Sequence, residues 1–71
     1  MLPTLDNDDI VSIVVKEIDR YMFENGIKHF AIRRIKFEPQ HVVAYVVAYI
    51  NGEVKLIKFL YDEENGLRPV S

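Results

Sequence analysis

From Val42 to Ile50 the chain runs nine residues without a charged side chain and then meets Asn51-Gly52. A two-residue hairpin turn of type I′ needs positive φ at both central positions, and Asn-Gly meets that demand at the lowest steric cost. The apolar run is therefore read as a strand that turns back on itself into a second strand over residues 54–62. Alternate residues of a strand point to opposite faces, so Val42, Ala44, Val46 and Ala48 share one side and Val43, Tyr45, Val47 and Tyr49 the other. A sheet with one wet face alternates apolar and polar residues. This strand is apolar on both faces, so both must be covered.

Glu38-Pro39-Gln40-His41 puts proline where a type I or II turn prefers it, which adds an earlier strand over residues 29–37. The three strands, 29–37, 41–50 and 54–62, form an antiparallel meander in the order 1-2-3. Residues 6–25 come before them. At 100° per residue, Ile10, Val11, Val14, Val15, Ile18, Tyr21 and Met22 fall on one arc of a helix, and only Ile13 and Phe23 stray to the polar side. Asp6 is the expected N-cap, with Leu5 and Ile10 as a hydrophobic staple and Asp8 and Asp9 in the first turn. Asn25-Gly26 supplies the stop, and Ile27 is placed to fold back on the last turn. The β-branched run from Ile10 to Val15 has poor helix propensity, so packing must hold the segment. The fold class is thus α+β, one N-terminal helix on a three-stranded antiparallel meander.

A length of 71 residues allows one small domain, and a domain of that size buries only about 60 % of its unfolded surface. With no cysteine, disulfides and thiolate metal sites are excluded, and a reducing compartment suits the chain. No basic leader precedes an apolar stretch at the N-terminus and no run of about 18 apolar residues exists, so a cytoplasmic chain outside the membrane is expected. The net charge of −2 gives no global basic field, but its distribution is uneven. Residues 1–27 sum to −4, 28–58 to +4 and 59–71 to −2.

Pairing Ile50 with Glu53 across the Asn-Gly turn puts Lys55, Ile57, Phe59 and Tyr61 on the face of Val42, Ala44, Val46 and Ala48. Pairing Glu38 with His41 adds Ala31, Arg33, Ile35 and Phe37, with Arg33 the one misfit. The small Ala44 and Ala48 leave room for the helix on this face. The other face then carries Phe30, Ile32, Arg34 and Lys36, then Val43, Tyr45, Val47 and Tyr49, then Val54, Leu56, Lys58 and Leu60. One helix cannot cover two sides, and an apolar face of this extent exceeds what a typical monomer leaves open. The expected partner or dimer interface is Phe30, Ile32, Val43, Tyr45, Val47, Tyr49, Leu56 and Leu60.

Catalytic chemistry finds little support. His41 and Asp62 stand opposite each other at one end of the second hairpin, but Ser12 lies on the polar arc of the helix and Ser71 at the terminus, so a triad lacks its nucleophile. A cross-strand pair is the better reading. Asp6-Asn7-Asp8-Asp9 and Asp62-Glu63-Glu64-Asn65-Gly66 lack the alternate-position ligands of a calcium loop, and His29 and His41 have no third donor at zinc spacing. Gly26, Gly52 and Gly66 each have a turn to explain them and form no phosphate loop. The expectation is a non-catalytic interaction module without cofactor or metal, a homodimer or a binder of another protein. The alternative is single-stranded nucleic-acid binding, with Arg34, Lys36 and Lys58 set among Phe30, Tyr45 and Tyr49 on the same face.

A helix followed by an antiparallel meander, with Asn51-Gly52-Glu53-Val54 in a hairpin and Asp62 followed four residues later by Gly66, resembles the general plan of PepSY and cystatin-like modules. The likeness covers the last third of the chain and consists of turn chemistry. The QxVxG-type loop and N-terminal glycine of cystatins are absent, so the resemblance implies the plan and carries over no functional residue.

Overall fold

The computed structural model describes residues 7–70, and Asp6 and Leu5, the expected cap and staple, lie outside them. A helix α1 (Asn7–Glu24) leads into strands β1 (His29–Phe37), β2 (Val42–Ile50), β3 (Glu53–Asp62) and β4 (Gly66–Pro69). All four strands pair antiparallel in one sheet of order β1-β2-β3-β4. The expected meander is present and one short strand longer than the sequence suggested.

The helix stops as its C-terminal residues dictate. Gly26 adopts φ +71°, its N–H reaches the Phe23 carbonyl at 3.1 Å, and the Ile27 N–H reaches the Met22 carbonyl at 2.8 Å. Those two bonds are the Schellman pair, and Ile27 then packs against the core. Val14, Ile18 and Met22 are fully buried against Val46 and Phe59, with Ile10 and Tyr21 half-buried beside them. Tyr21 meets Phe59 edge to face at 5.1 Å. The helix thus covers the face where Ala44 and Ala48 leave space, as expected.

The β2–β3 register follows the turn. Asn51 has φ 52° and Gly52 φ 81°, and Ile50 pairs with Glu53, Ala48 with Lys55 and Ala44 with Phe59. At the other hairpin the Glu38 N–H donates to the His41 carbonyl at 2.9 Å, and Phe37 pairs with Val42.

Further along β1 the register departs from simple alternation. Ile32 pairs with Val46 and Arg34 with Tyr45, which leaves Arg33 without a partner as a bulge. One extra residue exchanges the faces of everything before it. Phe30 and Ile32 therefore turn to the helix side, opposite Ala48 and Val46, and pack against the core. Both residues leave the expected interface, and His29 and Ala31 take their places. The misfit of Arg33 also disappears, since the bulge leaves it exposed at the sheet edge.

The fourth strand grows out of the acidic segment after β3. Asp62 Oδ1 accepts the Asn65 N–H at 2.6 Å, Gly66 takes φ +71°, and Gly66 pairs back with Asp62. Leu67 then lies opposite Tyr61 on the core side and Arg68 opposite Leu60 on the far side. Proline lacks a donor and is tolerated at a sheet edge, which is where Pro69 sits.

Candidate interaction surface

Transverse rows describe the face away from the helix. At the β2–β3 turn lies the row His29, Tyr49 and Val54, and next to it Ala31, Val47 and Leu56. Beyond the bulge comes Arg34, Tyr45 and Lys58, and then Lys36, Val43, Leu60 and Arg68. The last row holds Glu38, His41 and Asp62.

Exposure along these rows is uneven. Tyr49 is 55 % exposed, Val54 70 % and Leu56 67 %, whereas Val43 is buried beneath its neighbours. Tyr45, Val47 and Leu60 are half-buried. Apolar area is thus concentrated in the two rows nearest the turn, and charge in the two rows beyond them.

Three of the four cations stand on outer strands, Arg34 and Lys36 on β1 and Arg68 on β4. Lys58 stands on an inner strand, with its Nζ 6.0 Å from the centre of the Tyr45 ring, at the outer limit of a cation–π contact. Lys36 Nζ lies 3.6 Å from Glu38. The resulting surface is apolar at the end near the β2–β3 turn and basic beyond it.

Of the expected interface residues, the sheet brings Val43, Tyr45, Val47, Tyr49, Leu56 and Leu60 together on this face and removes Phe30 and Ile32. It also keeps Arg34, Lys36 and Lys58 beside Tyr45 and Tyr49, while Phe30, the third aromatic of the nucleic-acid alternative, turns to the helix side. Arg68 was missed because β4 was missed; the signal for it was Leu67, one strand position from Gly66 and apolar where the core needs an apolar residue.

His41 and Asp62 face one another in register but form no ion pair among the described residues, whose ion pairs are Arg20–Glu17, Lys36–Glu38 and Lys55–Glu53. The Asp62 carboxylate is held instead by its own turn. The Asn65 backbone N–H lowers its pKa most, burial opposes the shift, and the Asn65 side chain, the Glu64 N–H and the Arg68 charge lower it further. An open groove at this end of the sheet is lined by Ile10, Phe37, Glu38, His41, Asp62 and Arg68 among others. No group of three or more metal-binding side chains occurs among the described residues, and no helix among them is long and apolar enough to cross a membrane.

The chain was compared with protein-family profiles, curated proteins and solved structures, and no match was found.

Proposed function

We propose that this chain is a non-catalytic interaction module that binds a polypeptide through the open face of its sheet, either a second copy of itself or another chain. The observation that carries this reading is the exposure of Tyr49, Val54 and Leu56 in one contiguous patch beside the half-buried Val47 and Tyr45. Removing apolar area from water contributes about 25 cal/mol per Å², so an uncovered patch of this kind favours association. Tyrosine suits such a site, because its ring buries well while its hydroxyl stays wet at the margin.

Sedimentation equilibrium across the micromolar range tests the reading, alone and with candidate partners. Tyr45→Asp and Val47→Asp place an unpaired charge within the contact and should abolish association. Leu56→Asp should do the same and leave the monomer folded, because Leu56 is already largely exposed there. A wild-type chain that stays monomeric and soluble, and binds no polypeptide, would overturn the proposal.

One observation favours a second reading, single-stranded nucleic-acid binding on the same face. The fourth strand adds Arg68 to Arg34, Lys36 and Lys58, and Lys58 stands over Tyr45. That reading requires affinity for a labelled single strand at low salt, falling steeply as salt is added. Under the first reading the titration shows no binding.

A further inference from the structure

The charges of the open face are segregated by sign, and that segregation says what a polypeptide bound there must carry. We propose, resting on the reading of this face as a polypeptide site, that its occupant is an acidic segment of another chain, with apolar residues on the Tyr49, Val54 and Leu56 end and carboxylates over the basic rows beyond.

Four of the nine Lys and Arg residues stand on two neighbouring rows of this one face, although the chain as a whole has a net charge of −2. Arg34 and Lys58 both pair with Tyr45, so they flank it two strand spacings apart, about 10 Å. In the next row Lys36 and Arg68 stand three spacings apart, about 14 Å, with Val43 and Leu60 between them. Carboxylates on this face are confined to the last row, and both are engaged there. Glu38 lies 3.6 Å from Lys36, and Asp62 accepts the Asn65 N–H while it feels the charge of Arg68. Among the described residues neither Arg34 nor Lys58 forms an ion pair. An oppositely charged partner answers such a surface, and like charges laid against it oppose association. A second copy meeting it face to face would bring four more cations.

The spacing of the rows sets the order of residues in the partner. Successive rows lie two residues apart along the strands, about 7 Å, so the Lys58 row is about 7 Å beyond Leu56 and the Arg68 row about 14 Å. An extended segment advances about 3.3 Å per residue, so carboxylates two to four residues past an apolar anchor on Leu56 fall between the flanking cations. A polypeptide suits the apolar end better than nucleic acid does. Bases stack on aromatic rings, whereas Val54 and Leu56 are aliphatic and Phe30 is turned to the helix side.

Random-sequence peptides of about ten residues, long enough to run past all four rows, test the partner's chemistry when displayed on phage and selected on the full wild-type chain. Prior depletion on Leu56→Asp removes peptides that bind elsewhere. The recovered peptides should carry apolar residues in one half and Asp or Glu in the other. For such a peptide, labelled and followed by fluorescence anisotropy, Arg34→Gln with Lys58→Gln should weaken binding about fivefold at low salt, the worth of two exposed ion pairs. Lys16→Gln with Lys28→Gln, an equal change of charge at exposed positions off this face, should leave it unchanged. Added salt should weaken binding to the wild-type chain as well, a reading that needs no variant. Neutral or basic peptides, or acidic ones indifferent to Arg34, Lys58 and salt, overturn the acidic partner and leave the interaction module standing. A chain that selects no peptide and sediments as a dimer does the same in favour of a second copy. One that selects no peptide and stays monomeric overturns both, in favour of nucleic acid if it binds labelled oligothymidylate.

Discussion

The two faces of this sheet are nearly equal in apolar content and unlike in shape. On β2 the helix side offers Val42, Ala44, Val46 and Ala48, and the open side Val43, Tyr45, Val47 and Tyr49. Alanines form a trough that lets the axis of a helix come close, and all four helix-side residues are buried. Tyrosines in the alternate places would hold a helix off. They leave a broader, flatter surface, on which Tyr49 is 55 % exposed. Hydrophobicity alone therefore does not tell the two faces apart, while side-chain size says which one takes the helix.

Breaking each face at its most apolar residue gives the largest contrast. Phe59 is fully buried and contacts Tyr21 on the helix, so Phe59→Ala should cost about 3–5 kcal/mol through lost transfer and a cavity. That is a large share of the stability a small domain has. Leu56→Ala, on the open side, should change monomer stability by less than about 0.5 kcal/mol and weaken association instead. Urea unfolding at protein concentrations below the association range measures the first effect, and sedimentation the second. If Leu56→Ala destabilised the dilute chain as Phe59→Ala does, the open face would already be buried within the monomer.

Much of this architecture was legible because local chemistry fixed it locally. Asn51-Gly52 admits one kind of turn, and that turn sets every pair between β2 and β3. Asn25-Gly26-Ile27 ends the helix within three residues. The open face was legible in its β2 and β3 members for the same reason. Its β1 members were misread because a bulge has no composition of its own, although it leaves a trace. Phe30 and Ile32 keep one phase of alternation, Ile35 and Phe37 keep the other, and two adjacent arginines separate them. A period of two cannot hold Ile32 and Ile35 on one side, so the change of phase was itself the signal for an extra residue. The fourth strand was obscured by its length of four residues and its proline, and no local pattern outweighs those.

The bulge can be tested by removing it. Deleting Arg33 leaves Ile32 next to Arg34, and regular alternation then keeps Phe30 and Ile32 on the helix side without a defect. The chain should fold with nearly unchanged stability. Deleting Ala31 instead sends Phe30 to the open face and should cost roughly 2 kcal/mol, the burial of one large apolar side chain. Thermal unfolding compares the two. Equal losses would mean that Arg33 is more than a spacer. Without the bulge, β1 becomes a straighter edge strand, so the Arg33 deletion should also raise the tendency to aggregate, read by light scattering on heating.

The smallest effect is expected at Asp62, and it bears on where the second face ends. Hydrogen bonds within its turn depress the Asp62 pKa in the folded chain. A depressed carboxyl contributes stability that is present above its unfolded value of about 3.9 and is lost as the pH falls through the folded value. The contribution is therefore constant at neutral pH and fades only in acid. Titration of the Asp62 carboxyl by NMR should find it below the ordinary aspartate range. Because the Asn65 backbone N–H is the main cause, Asn65→Ala should leave most of the depression in place. The exposed apolar residues Tyr49, Val54 and Leu56 lie at the other end of the face, so a contact centred on them leaves Asp62 in solvent and its titration the same in dilute and concentrated protein. A contact that reached the β1–β2 turn would cover Asp62, and desolvation would then raise its pKa on association. A titration that moves upward with protein concentration would shift the contact toward the β1–β2 turn and away from Tyr49, Val54 and Leu56.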